Sequence, residues 1–107
     1  MNNEAIKKIA DHYGFPEQSR QLAEECSELI VAVNKLYRIL ASKHNPFFDE
    51  VAIERNKAII DIMEEIADVT IMLEQIKYLL SLNSDDIDLF IEQKLNRQLE
   101  RINNGLE

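Results

Sequence analysis

The sequence predicts an all-α fold, a helical bundle with two long central antiparallel helices, from three observations. Only two Gly and two Pro occur among 107 residues, so few turn signals interrupt the chain. The segments between these breaks are too long for ordinary strands, and apolar residues recur in them at steps of three and four. No stretch alternates strictly between apolar and polar residues, as a half-buried strand would. The length predicts one domain, residues 1–107.

The first two helices are separated by a short break. A first helix is predicted over about Asn3–Tyr13, because Gly14 and Pro16 follow it. A second helix is predicted over about Glu17–Ser42. Its apolar side chains recur along one helix face, which is expected to turn toward a core. They are Leu22, Cys26, Leu29, Val33, Leu36 and Leu40.

The third predicted helix is the longest, over about Asp49–Leu82, after a connection at Lys43–Phe48 that contains Pro46. About 34 residues at ~1.5 Å per residue would reach ~50 Å, which exceeds the core of a compact domain. The helix is therefore expected to kink or to pack partly on another subunit. Its apolar stripe continues past Ile76, which favours a homo-oligomer and leaves dimer and tetramer open. The stripe is Ile59, Ile62, Ile66, Val69, Leu73, Ile76 and Leu80.

The fourth predicted helix covers about Asp85–Asn103. It follows Asn83, Ser84, Asp85 and Asp86, residue types that cap helix N-termini. Its apolar residues repeat less strictly than those of the earlier helices, and the face that they form is likewise expected to turn toward a core. They are Ile87, Phe90, Ile91, Leu95, Leu99 and Ile102.

The composition excludes several classes of protein. The chain has 20 acidic and 12 basic side chains, a formal net charge of −8, which argues against a nucleic-acid partner. Cys26 is the one cysteine, so a disulfide scaffold is excluded. No glycine-rich phosphate loop occurs, so a P-loop protein is not expected. The sequence shows neither a leader nor an apolar run long enough to span a bilayer, so the chain is expected to be cytoplasmic and not a membrane protein.

A twelve-residue pattern occurs twice, 40 residues apart. Residues 22–33 read LAEECSELIVAV and residues 62–73 read IMEEIADVTIML. Acidic residues coincide at three positions of the repeat and apolar residues at four. Each set of acids lies beside the apolar stripe of its helix. Without these six acids, 14 acidic side chains remain against 12 basic ones, so the acidity is concentrated in the repeat. The coinciding acids are Glu24 with Glu64, Glu25 with Glu65, and Glu28 with Asp68.

The repeated acids predict a divalent metal site if the two stripes face each other. Glu25, Glu28, Glu65 and Asp68 would then converge, and like charges brought together need a cation or shared protons. Oxygen ligands of this kind suit Mg²⁺ or Mn²⁺. A solvated acidic helix face is the alternative interpretation, and periodicity alone leaves both open.

The paired motifs Glu25-x-x-Glu28 and Glu65-x-x-Asp68 resemble those of the MazG-like all-α nucleoside triphosphate pyrophosphohydrolases. That family has Glu-x-x-Glu followed by Glu-x-x-Asp, and the resemblance covers about residues 13–101. One departure is the stretch of 36 residues between Glu28 and Glu65, which is longer than in compact members.

The resemblance implies a Mg²⁺-dependent hydrolase, with Mn²⁺ as the other candidate metal. It would cleave a (deoxy)nucleoside triphosphate between the α and β phosphates, giving a monophosphate and pyrophosphate. Removal of non-standard nucleotides is one candidate role. Glu25, Glu28, Glu65 and Asp68 would be the metal ligands. Glu24 or Glu64 would accept the proton of the attacking water, and the sequence does not choose between them.

A triphosphate also needs cationic partners, and four basic residues are candidates. Lys35 follows Glu28 by two helical turns. Lys94, Arg97 and Arg101 are spaced by three and four residues, so they share one helix face, where members of the resembled family often have phosphate contacts. The alternative for these three is a surface stripe of ion pairs with neighbouring acids.

Two functions therefore compete. One is the Mg²⁺-dependent pyrophosphohydrolase, with a nucleotide substrate and a homodimer or homotetramer as the expected assembly. The other is a non-catalytic helical interaction or regulatory module whose acidic face is merely solvated. Stabilisation by Mg²⁺ distinguishes them, because only the first requires that the folded chain bind the metal.

Overall fold

The structure is a computed structural model, and it describes residues 1–42 and 49–105. Three helices account for nearly all of these residues, and no strand occurs among them: α1 is Asn3–Ala41, α2 is Asp49–Leu79 and α3 is Ser84–Asn103. The predicted all-α class is confirmed. The predicted connection at Lys43–Phe48 lies outside the described residues.

Helix α1 contains the predicted break as a kink within one element. The Asn2 side chain caps its N-terminus by accepting a hydrogen bond from the backbone N–H of Ala5, at 3.0 Å. Gly14 has φ 82° and ψ 167°, a backbone conformation that is essentially restricted to glycine. Pro16 follows two residues later and has no backbone N–H to donate. The predicted first and second helices are therefore the two arms of α1.

Helices α1 and α2 pack against each other in antiparallel order, as predicted. Near the start of α1, the Tyr78 hydroxyl donates to the carboxylate of Asp11, at 2.8–2.9 Å. Further along α1, the Gln18 amide nitrogen donates to the Gln75 amide oxygen at 2.7 Å. Later residues of α1 thus meet earlier residues of α2, which is the geometry of an αα-hairpin.

Small and amide side chains are prominent among the buried residues of these two helices. Ala10, Ala32 and Ala58 are buried, and such small residues allow the helices to approach closely. The buried set among the described residues is Ile6, Ala10, Gln18, Ala32, Ala58, Met72 and Gln75.

The predicted apolar stripes are covered only in part. Leu22, Cys26 and Leu29 of α1 are half-buried, but Val33 and Leu40 are exposed. On α2, Ile66 and Leu73 are exposed as well. The expectation that each stripe forms a core is therefore too strong, because two packed helices cover only part of each other's circumference.

Helix α3 leaves the hairpin through a tight turn after α2. Ser81 has φ 52°, and the Leu82 N–H donates to the Lys77 carbonyl at 2.9 Å. The Asn83 side chain then caps α3 by accepting from the N–H of Asp85 at 2.8 Å. None of the twenty residues of α3, all of which are described, is buried. Their expected core face points to solvent.

None of the helices in the described part of the chain combines the length and the apolar character needed to cross a bilayer.

Candidate metal centre

The antiparallel packing of α1 and α2 brings three acids of the repeat together. Glu25 and Glu28 lie one helical turn apart on α1, and Glu65 faces them from α2. One carboxylate oxygen from each lies within 4.8 Å of the other two. Such spacing allows a single hard cation to be bound by oxygens from both helices, since Mg²⁺–oxygen distances are about 2.1 Å.

Two carboxylate oxygens in this cluster are buried without a hydrogen-bond partner. They are Oε2 of Glu25 and Oε2 of Glu65. The other Glu25 oxygen accepts a hydrogen bond of 2.8 Å from the Gln21 amide, which orients the carboxylate. Buried polar atoms are nearly always satisfied, so two unpartnered carboxylate oxygens on facing helices fit a site that binds a cation.

The electrostatics of the cluster disfavour full ionisation. The charge of Glu25 is the largest cause that raises the pKa of Glu28 above 4.5, followed by burial and by Glu65. Burial is the largest cause that raises the pKa of Glu65, followed by the charges of Asp68 and Glu25. A bound divalent cation would oppose these effects by favouring the ionised carboxylates.

The other predicted acids lie around this cluster in different ways. Asp68 is exposed and close enough to raise the pKa of Glu65, but it is outside the group of three oxygens. Its side chain is one methylene shorter than that of Glu28, its partner in the repeat. Glu64 is exposed and also acts on Glu65 through its charge. Glu24 lies at the wall of a cleft between α1 and α2, beside the cluster.

A cleft of about 440 Å³ opens beside the cluster, between α1 and α2. Its walls combine the acids Glu28 and Glu65 with the apolar side chains of Val31 and Ala32. Lys35, one of the candidate phosphate-binding residues, also lines it. The remaining lining residues are Glu24, Ser27 and Asp61.

A second, smaller depression continues from this cleft and is lined in part by residues outside the predicted site. It measures about 370 Å³ and is lined by Lys35, Lys57, Ile60 and Asp61. The missed signal is an i,i+4 row on α2: Lys57 and Asp61 precede Glu65 by two turns and one turn. The carboxylate cluster is therefore followed along the hairpin by a region with two lysines.

The three basic residues predicted on α3 are not part of this region. Lys94, Arg97 and Arg101 are exposed, and none lines either cleft. Helix α3 makes few contacts with the hairpin in the described part of the chain, so these residues are not brought to the acids of their own chain. Their role in phosphate binding stays a prediction.

Comparison of the chain with protein-family models, with curated proteins and with solved structures finds no match. The resemblance to the MazG-like proteins therefore rests on the paired motifs, Glu25-x-x-Glu28 and Glu65-x-x-Asp68, and on the residues around them.

Proposed function

We propose that the chain is a Mg²⁺-dependent hydrolase that cleaves nucleoside triphosphates between the α and β phosphates, with Mn²⁺ as an alternative metal. The observation that supports this most is the convergence of Glu25, Glu28 and Glu65, two of whose buried oxygens have no partner. The motif resemblance agrees with it, because these are three of the four residues in the paired motifs.

The proposed roles follow from where the side chains lie. Glu25, Glu28 and Glu65 would hold the metal, and Asp68 would reach it directly or through a water. When bound, Mg²⁺ neutralises phosphate charge and lowers the pKa of a coordinated water. Lys35, on the wall of the same cleft, would bind a phosphate oxygen.

Water would attack the α phosphorus while the bond from that phosphorus to the bridging oxygen breaks, so that pyrophosphate leaves. Of the two candidate bases, Glu24 is favoured over Glu64, because Glu24 lines the cleft and Glu64 does not. Val31 and Ala32 give the cleft an apolar wall against which a nucleoside would pack.

The decisive experiment measures pyrophosphate release from a panel of standard and modified nucleoside triphosphates with Mg²⁺. Glu65→Gln is compared with Glu54→Gln, which removes an exposed carboxylate from the same helix. Mutation of outer partners of metal ligands already costs about 10–100-fold. Loss of a direct ligand is therefore expected to lower turnover by about a hundredfold or more, and Glu54→Gln to leave it unchanged.

Thermal unfolding with and without Mg²⁺ tests the metal site separately from the chemistry. The wild-type chain is expected to gain about 2.7 kcal/mol at a Mg²⁺ concentration of 100 times its Kd, and Glu65→Gln to lose most of this gain. Absence of both pyrophosphate release and a Mg²⁺-dependent shift in Tm would leave the interaction module as the better explanation.

A further inference from the structure

The surface of this chain is larger than that of a self-contained domain of its mass. Its accessible area is 8602 Å². Folded monomers of 12.4 kDa expose about 6,100 Å² by the usual scaling with mass. The excess is about 2,500 Å² per chain relative to that scaling. The Cα radius of gyration, 18.3 Å, likewise exceeds the ~13 Å of a compact chain of this length.

Part of the exposed apolar surface belongs to α3. Six large side chains of this helix, which include the central Leu95 and Leu99, are 49–60% exposed. At about 100° per residue, Ile87, Ile91, Leu95, Leu99 and Ile102 share an arc of roughly 120°. This set is called the α3 apolar face. A continuous stripe of this width is typical of a helix that packs against a partner.

The hairpin also has exposed apolar residues that could receive such a helix. Val33 and Leu40 of α1, and Ile53, Ile66 and Leu73 of α2, are all at least 45% exposed. Both surfaces belong to the same chain, so a second copy supplies the complement of each.

We propose that the α3 apolar face is the contact surface for a second copy of this chain. If each copy buries the excess of about 2,500 Å², a pair buries about 5,000 Å² in total, at the upper end of the range for obligate homodimers. In a two-fold assembly, the α3 apolar face of each copy would pack on the exposed apolar residues of the other copy's hairpin. Both copies would then use the same surfaces, as two-fold symmetry requires. The α3 apolar face would thus be the contact surface of the oligomer expected from the sequence, whether or not the acidic cleft hydrolyses nucleotides.

The first test measures the mass of the wild-type chain by size-exclusion chromatography with light scattering. A mass of two or four times 12.4 kDa is expected. The double variant Leu95→Glu/Leu99→Glu places two carboxylates on the α3 apolar face and is expected to lower the mass to that of one chain. The control Gln93→Glu/Asn96→Glu adds the same two charges on the opposite side of α3 and is expected to keep the oligomer.

A monomeric wild-type chain, or an oligomer that survives Leu95→Glu/Leu99→Glu with its mass unchanged, would overturn the proposal. If the double variant fails to fold, hydrogen exchange of the wild-type chain decides instead. The amides of α3 are expected to exchange faster at concentrations where dilution lowers the measured mass. Exchange of α3 that does not change across that range would assign the contact to another surface.

Discussion

At the scale of single residues, the pKa values of Glu28 and Glu65 relate the carboxylate cluster to the stability of the fold. The pKa of Glu28 is raised mainly by the charge of Glu25, and that of Glu65 mainly by burial. The folded chain therefore binds more protons than the unfolded chain just above pH 4.5, the ordinary value for both groups. Stability falls with rising pH where the folded state binds more protons, so ionisation of these two groups opposes folding.

Removal of the Glu28 charge is predicted to stabilise the chain when no divalent metal is present. Glu28→Gln is then expected to have a higher Tm than the wild-type chain at pH 7, because it removes one of the mutually repelling charges. The difference is expected to shrink as the pH falls toward 4.5, where the wild-type carboxylates take up protons. Thermal unfolding across this pH range with a chelator measures it. An equal difference at every pH would contradict the electrostatic origin, and Glu54→Gln controls for loss of an exposed carboxylate outside the cluster.

Lys57 gives a second prediction at this scale. It lines the depression that continues from the carboxylate cleft and that Lys35 also lines. If the proposed reaction takes place there, Lys57→Gln is expected to raise the KM for a nucleoside triphosphate about tenfold, which corresponds to about 1.4 kcal/mol. Arg55→Gln removes a positive charge two residues away that lines neither cleft, and is expected to change KM little. Steady-state kinetics of both variants measure the difference; equal effects would point to general electrostatic attraction.

At the scale of helices, the kink in α1 depends on Gly14. Its φ of 82° and ψ of 167° belong to a region that residues with a Cβ rarely occupy. An added Cβ would lie 3.9 Å from the Pro16 ring, an ordinary contact, so the cost comes from the backbone and not from a clash.

Gly14→Ala is accordingly predicted to lower the free energy of unfolding by about 1–3 kcal/mol. Gly105→Ala is the control, because Gly105 also has positive φ, at 70°, but lies just after the last turn of α3 with no heavy atom within 4 Å of an added Cβ. Its effect is expected to be smaller, since it changes only a helix end. Urea unfolding measures both variants, and equal losses would show that the kink has no special cost.

The register of α1 against α2 depends on the buried pair Gln18 and Gln75. Their amides are hydrogen-bonded at 2.7 Å, and Gln75 is 2% exposed. Two polar groups that satisfy each other only when aligned penalise a shift of one helix along the other, because the shift leaves buried amides unpaired.

Gln75→Met is predicted to lower stability by about 1–3 kcal/mol, because the Gln18 amide loses its partner. The double variant Gln18→Met/Gln75→Met removes both polar groups at similar volume and is expected to recover most of the loss. Denaturant unfolding of both single variants and the double variant gives the coupling free energy. Additive losses would show that the hydrogen bond contributes no coupling.

At the scale of the whole molecule, the chain exposes more surface than a compact monomer of its mass, and part of that surface is apolar. If a second copy covers the α3 apolar face, folding and association are linked, and the Tm depends on chain concentration. The wild-type Tm is predicted to rise with concentration, whereas that of Leu95→Glu/Leu99→Glu is predicted to stay constant. Differential scanning calorimetry over a hundredfold concentration range measures this, and a constant wild-type Tm would contradict the linkage.

The sequence predicted those parts of the fold that depend on local signals. Helix periodicity predicted the helical segments of the described residues, and the ends of α1, α2 and α3 lie within three residues of predicted ends. The break predicted between the first two helices is a kink inside α1. Gly14 and Pro16 marked the kink because a positive φ and a missing N–H act on the backbone at that position. The repeated acids of residues 22–33 and 62–73 placed Glu25, Glu28 and Glu65 together, because antiparallel helices bring matched positions to one contact.

Tertiary structure alone decided which predicted faces are covered and which acids converge. Periodicity identifies an apolar face but not the surface opposite it, so it predicted a core-facing side for α3 as well as for α2, although α3 has no buried residue. It also treated Asp68 as equivalent to Glu28, whereas only Glu28 joins the group of three oxygens. Lys57 and Asp61 could be recognised as candidate site residues only from the structure, because they line a depression together with Lys35 of α1. Local sequence thus determined the helices, and the distances between their side chains determined the candidate site.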